Sequence, residues 1–219
     1  MDEMNSNENN QITVIGTVVG TPDYSHSVGA ERFLKGVIKV NRLSGQNDML
    51  PFVVSERLVP NWTLGDEDEV KLNGQIRSHN VYDNPNQKGK LEVYIFVRSL
   101  MYELEITAPL VYGDKQSLHT VNNVYLTGAL CKPPIYRSTP FGREICDMMI
   151  AVNRAFGKSD YIPCIAWGRT AKYIGNNLKV GDSVKIAGRF QSRDYTKVHP
   201  DGHAEDRTAY EVSVFKLIN

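Results

Sequence analysis

The chain has 219 residues, and its 25 basic and 25 acidic side chains cancel to a formal charge of zero. Its longest apolar runs fall far short of the about 18 residues that a membrane-spanning helix needs, and its apolar content is high enough for packed cores, which excludes a wholly disordered chain. The zero balance hides an asymmetry: residues 1–112 hold 10 Lys/Arg and 15 Asp/Glu, a charge of −5, whereas residues 113–219 hold 15 and 10, a charge of +5, so only the second half suits a polyanion.

Residues 1–9 are polar and acidic and read as a disordered tail, not a signal peptide. A first domain, residues 10–102, carries period-two strand patterns at 11–19, 33–42, 49–55, 69–78 and 90–100. Residues 56–64 contain Pro60, which shortens or breaks a helix there. Residues 103–120, punctuated by Pro109, Gly113 and Asp114, read as a linker. A second domain, residues 121–219, repeats the pattern with strands at 123–131, 144–153, 161–167, 183–193 and 208–217, and a helix at 170–178.

The two domains are copies. At an offset of 112, Asn10 meets Asn122, Gly16 meets Gly128, Val40-Asn41-Arg42 meets Val152-Asn153-Arg154, Asp48 meets Asp160, Pro51 meets Pro163 and Arg57 meets Arg169. Small insertions then shift the register: Gly74 matches Gly188, Ser78 matches Ser192, and Glu92-Val93 with Phe96 matches Glu211-Val212 with Phe215. Five strands with a helix between the third and fourth is the OB-fold order, a partly open Greek-key barrel whose exposed face binds oligonucleotides or oligosaccharides. The expected class is therefore all-β, two tandem five-stranded OB-fold barrels, each with one short helix between strands 3 and 4. Five strands per repeat fit a small barrel better than a seven-stranded sandwich.

The stretch 160–169, DYIPCIAWGR, is the most informative. Tyr161, Pro163, Ile165 and Trp167 point one way, and Ile162, Cys164 and Ala166 form a small apolar face the other way. Two rings six residues apart span about 20 Å of strand, room for several stacked bases. Arg169 follows, and AVNRAF, residues 151–156, lies just upstream. Rings interleaved with cations suit a single strand, because every base has a π-face and every nucleotide a phosphate.

GALCKPPIYRSTPFGREICDMMIAVNRAF, then DYIPCIAWGRTAKYIGNNLKVGDSVKIAGRFQSRDY, then AYEVSV, resembles the bacterial single-stranded DNA-binding protein family over residues 122–217. The resemblance implies base stacking by Phe156, Tyr161 and Trp167, with Tyr195 at the start of an arm that wraps the strand. It implies phosphate contacts from Arg154, Arg169, Arg189 and Arg193, with Lys158, Lys172 and Lys197 outlying. It also implies a role in DNA replication, recombination or repair in the bacterial cytoplasm at the nucleoid, with single-stranded DNA as the partner. The sequence departs from the family in carrying two barrels, as in the minority that reach four OB-folds as a homodimer. The family's acidic, Phe-tipped tail is not matched by Phe215–Asn219, which points partner proteins to other surfaces, such as the first domain.

The repeat serves as an internal control. Tyr161, Trp167 and Phe156 fall on Met49, Ser55 and Ser44, so the rings behave as surface residues that one copy uses and the other lacks. Val37 and Met149, Val54 and Ala166, Val70 and Val184, and Val93 and Val212 stay apolar and are the expected core. Arg154 and Arg169 persist as Arg42 and Arg57, compatible with a role in the fold as well as in phosphate contact.

The first copy, acidic and poor in rings at these positions, is expected to supply a dimer contact or a protein-docking surface. Cys131, Cys146 and Cys164 are an odd number without a CxxC pair, which suggests reduced cytosolic thiols, with Cys146 and Cys164 on the core side. His199 and His203 flank a Pro-Asp-Gly turn with no third ligand nearby, so no metal is expected. No catalytic constellation or phosphate-cradling loop stands out, so neither an enzyme nor a cofactor is expected. The rival readings are an adaptor that binds proteins and an OB protein that binds RNA or oligosaccharide.

Overall fold

A computed structural model of the chain describes residues 9–59, 64–82, 89–102, 121–199 and 202–218. The expected linker and all of the expected tail but Asn9 lie outside the described residues. The strands are β1 (Asn10–Val28), β2 (Glu31–Asn41), β3 (Asn47–Ser55), β4 (Glu69–Val81), β5 (Lys90–Tyr102), β6 (Asn122–Leu130), β7 (Ile135–Ser138), β8 (Glu144–Asn153), β9 (Ser159–Trp167), β10 (Ser183–Val198) and β11 (Ala204–Leu217). Among the described residues one α-helix, α1 (Gly168–Asn177), links β9 to β10. In the first copy its place begins with a 3₁₀ turn, Glu56–Leu58, just before Pro60, so the expectation of a helix in each copy is corrected to a helix in the second only, among the described residues.

Each copy closes on itself. β1 pairs with both β2 and β4, giving the cycle β1-β2-β3-β5-β4, and β6 pairs with both β8 and β10, giving β6-β8-β9-β11-β10. Closure needs close backbone crossings, and the repeat places glycine at them. A Cβ on Gly16 would lie 2.3 Å from the Lys39 carbonyl oxygen, and one on Gly128 would lie 2.4 Å from that of Ala151.

The cores repack by exchanging volume. Phe52 fills the first barrel against Gly36, where a Cβ would come within 2.6 Å of its ring. The equivalent positions of the second barrel hold Cys164 and Met148, both buried, so a small residue on one strand is met by a large one on its neighbour. Val54, Val70, Val93, Ala166, Val184 and Val212 are buried as expected, whereas Val37 and Met149 are half-buried and belong to the outer face. Met149 stands opposite Pro163 and therefore shares the side of Tyr161 and Trp167.

Two further points correct the sequence reading. The outer halves of β10 and β11 extend as an exposed two-stranded ribbon well beyond the expected strands, and the outer half of β1, itself largely exposed, runs on as an edge strand along β2. With little buried surface these stretches carry no hydrophobic period. The match between β5 and β11 also slips by two residues. Gly74 faces Val97 and Gly188 faces Val214, so Phe96 corresponds to Ser213 and not to Phe215. A slip of two preserves the inside–outside pattern and so leaves no trace in hydropathy.

The two barrels join through β1 and β6, antiparallel with Ile12 opposite Val124. Around this pairing the contacts are reciprocal. Ser192 N–H donates to Asp48 at 2.8 Å and Met49 N–H donates to Ser192 Oγ at 2.9 Å. In the mirrored pair, Ser78 N–H donates to Asp160 at 2.7 Å and Tyr161 N–H donates to Ser78 Oγ at 2.7 Å. The chain is thus built as an internal two-fold dimer.

Candidate nucleic-acid interface

Tyr161 and Trp167 lie at the two ends of the outer row of β9, 46% and 40% exposed. Pro163 between them is half-buried and Ile165 is buried, so the row is two open rings on a packed floor. The inward row, Ile162, Cys164 and Ala166, is buried and holds the strand flat on the core. Trp167 donates its indole N–H to Ser213 Oγ at 3.1 Å, which fixes one edge of the ring and leaves a face to solvent. At the next residue the chain turns through Gly168 (φ +55) into α1, whose first turn has no side-chain cap and presents Arg169. A helix end of this kind favours an anion.

The equivalent position in the first barrel is built for a different purpose. Ser55 is buried, donates to Glu31 Oε1 at 2.6 Å and accepts the Arg57 N–H at 3.2 Å, capping the 3₁₀ turn. The first barrel does have rings on its outer face, on other strands. Phe33 stacks on His26 with centroids 4.9 Å apart and lies 5.9 Å from Phe96, over which the Arg77 guanidinium sits at 5.3 Å. Those rings cover one another, whereas the rings of the second barrel face solvent.

Phe156 is 99% exposed in the β8–β9 turn with φ +62, a strained conformation for a ring-bearing residue. Tyr195, exposed on β10 where the β10–β11 arm leaves the barrel, has the Arg193 guanidinium 5.6 Å from its ring centre. The register of β9, β10 and β11 places Tyr161, Trp167, Arg193 and Tyr195 on the same side of the sheet.

The expected cations divide into two groups. Arg169, Lys158, Lys172 and Lys197 are exposed. Arg193 is exposed but lies 3.4 Å from Glu211. Arg154 is turned into the joint, 3.2 Å from the fully buried Asp160, with Arg77 of the first barrel at 3.9 Å. Its twin Arg42 pairs with Asp48 and donates to the Ser192 carbonyl at 2.8 Å. Arg189 is half-buried and donates to Gln191 at 3.3 Å; burial, and then the nearby Arg42, lower its hold on the proton. In the first copy the pair is inverted, with Arg77 donating to Gln75 at 2.6 Å. Burial raises the Asp160 carboxyl above its usual range, against the Ser78 N–H, Arg154 and Arg77, which pull it down. The geometry therefore places Arg154 with the fold and Arg189 at the edge of the joint.

Sequence reasoning did not single out Arg137 on β7. Arg137, Ile145 and Trp167 stand side by side across β7, β8 and β9. β7 is not among the strands expected from the sequence, so Arg137 was not weighed with the strand positions, although the offset of the repeat sets it against Ser25. His199 and Glu205 pair at 3.2 Å, and no group of three or more metal-ligating side chains occurs among the described residues.

Residues 121–217 match the model of the single-strand binding protein family. The single-stranded DNA-binding protein of Bacillus cereus is 38% identical over 81 residues, covering 34% of this chain and 48% of its own length. Single-stranded DNA-binding protein A of Bacillus subtilis is 38% identical over 81 residues, covering 34% of this chain and 47% of its own. The chain thus spans about half the length of the curated relatives it matches. The crystal structure of the wild-type single-stranded DNA binding protein from Thermus aquaticus superposes with a TM-score of 0.69 at 20% identity, covering 95% of this chain and 91% of that one. That likeness extends the shared fold to both barrels.

Proposed function

We propose that this chain, whose second barrel is a domain of the single-strand binding protein family, binds single-stranded DNA with little sequence preference and performs no chemistry on it. The observation that carries this reading is the set of four solvent-facing rings, Phe156, Tyr161, Trp167 and Tyr195, gathered in the basic half of the chain. Bases stack on the rings, each contact being worth about 1–3 kcal/mol. Arg169, Lys158, Lys172, Lys197 and Arg193 hold phosphates, and the uncapped start of α1 receives the phosphate beside the base on Trp167. The first barrel fixes the platform: its Ser78 holds the backbone at Tyr161. Two chains pairing would bring four barrels together for strand protection in replication, recombination or repair in the bacterial cytoplasm.

The test is intrinsic tryptophan fluorescence of the full chain titrated with oligo-dT, duplex DNA and oligo-U. Salt-sensitive quenching by oligo-dT and none by duplex is expected. No response to oligo-dT would overturn the reading, and a stronger response to oligo-U would move it to RNA. Light scattering of the free protein and of the dT complex reports whether two chains assemble.

A further inference from the structure

Among the described residues, one aromatic ring besides Phe156 stands almost wholly in water. Phe141 is 93% exposed, in the turn joining β7 to β8. An isolated ring in that state forgoes the free energy of burial and contributes nothing to the core. The turn that carries it is well bonded. Thr139 N–H donates to the Arg143 carbonyl at 2.8 Å, Gly142 N–H to the Thr139 carbonyl at 2.9 Å, and Arg143 N–H to Thr139 Oγ1 at 3.1 Å. Gly142 at φ +73 closes the turn. The hairpin is also held from behind, since α1 approaches β7 so closely that a Cβ on Gly175 would lie 2.5 Å from Tyr136 Cβ. The ring is thus presented on a fixed support.

The support continues the candidate interface. Arg137, Ile145 and Trp167 form one row across three strands, and the turn lies just beyond this row at the Trp167 end of β8. Phe156 occupies the opposite end of β8, beyond Tyr161. Each fully exposed ring has an exposed cation two residues on, Arg143 after Phe141 and Lys158 after Phe156. The first barrel has only Gly29 and Ala30 between the paired residues Val28 and Glu31. Phe141 therefore shows the same one-sided occurrence as Trp167, Tyr161 and Phe156.

We infer that Phe141 is a further base-stacking residue, which carries a single strand past Trp167 onto the β7–β8 hairpin with Arg143, and Arg137 that also pairs with Asp147 at 2.7 Å, on its phosphates. This rests on the single-strand-binding reading above. The ring lies four residues along the chain beyond the Trp167 level, within about 13 Å, the limit that about 3.3 Å per extended residue sets. At about 3.4 Å per stacked nucleotide, that adds at most about four nucleotides to the path.

The test uses the full chain and oligo-dT of graded length, with binding followed by anisotropy of a labelled strand. Phe141→Ala is expected to weaken long oligomers about fivefold or more, to leave the shortest bound oligomers unchanged, and to shorten the occluded length by a few nucleotides. Phe141→Trp is expected to add a fluorophore that long oligo-dT quenches. Wild-type affinity of Phe141→Ala at every length, while Trp167→Ala weakens binding, would overturn the inference and leave the function reading standing. So would a change of mass in light scattering with unchanged binding, which would assign the ring to a protein contact. Failure of the wild-type chain to bind any oligo-dT would overturn both.

Discussion

The carboxylate of Asp160, on the second barrel, accepts the backbone N–H of Ser78, on the first, at 2.7 Å, and does so with no exposure to solvent. Asp48 and Ser192 repeat the contact in the opposite sense at 2.8 Å. Each carboxylate has an arginine of its own barrel beside it, Arg154 and Arg42. The joint is therefore a pair of reciprocal buried anchors, and the second residue of each anchor adjoins the ring strand or its twin. Tyr161 follows Asp160 directly, so the joint sets the position of the platform.

Replacing Asp160 with Ala removes the acceptor for Ser78 and leaves Arg154 without its buried partner. Breaking one partner out of a buried pair costs about 3–5 kcal/mol. A loss in that range is expected in denaturant unfolding of Asp160→Ala, with a comparable loss for Asp48→Ala. A change below about 1 kcal/mol in both would show that the joint does not hold the barrels together.

Trp167→Ala is expected to weaken oligo-dT binding about tenfold or more, within the stacking range of about 1–3 kcal/mol per base. Ser55→Ala is expected to leave binding unchanged and to lower stability by about 1 kcal/mol, because Ser55 caps the 3₁₀ turn. Anisotropy titration paired with thermal melting separates the two effects. Equal losses of affinity at both positions would contradict the division of labour between the barrels.

The cations separate by salt dependence. Arg169→Ala and Lys172→Ala are each expected to reduce the slope of log affinity against log salt by about 0.7 while leaving the melting temperature unchanged. Arg154→Ala is expected to lower the melting temperature, since it faces the buried Asp160. A normal melting temperature for Arg154→Ala with a reduced slope would return it to the phosphate-binding set.

On the β10–β11 arm, the hydrogen bonds from Arg207 and then His199 hold the Glu205 carboxyl down to about 2. A depressed folded-state value means that the arm's order from this group is complete above the ordinary Glu value of about 4.3 and is lost as pH falls towards 2. A carboxyl NMR titration is expected to place the Glu205 midpoint near that low value, and Arg207→Gln to raise it. A midpoint near 4.3 in the unaltered chain would refute the arm geometry.

Burial pushes the Cys146 thiol up to about 11 and raises Cys164 further. Since the thiolate is the reactive form, both are expected to resist a disulfide reagent at pH 8 in the folded protein and to react at once in denaturant. Fast native labelling of either would contradict its place in the core.

The sequence by itself determined the two-copy organisation, the ten repeated strands, the helix of the second copy and the strand that carries Tyr161 and Trp167. Each rests on local information: a period of two with one apolar face, proline at a helix site, or identity at a fixed offset. It also marked the rings as surface residues through the contrast with Met49 and Ser55. Tertiary structure alone decided which cations are free. Arg154 and Arg169 look alike along the chain, but one faces a buried carboxylate and the other faces water, and only the apposition of β4 to β9 tells them apart. The same holds for the two-residue slip of β5 against β11, which hydropathy cannot register, and for the exposed outer halves of β1, β10 and β11, which bury too little to impose a pattern. Phe141 belongs with these, because a turn shows its exposed ring only once the strands on either side of it are paired.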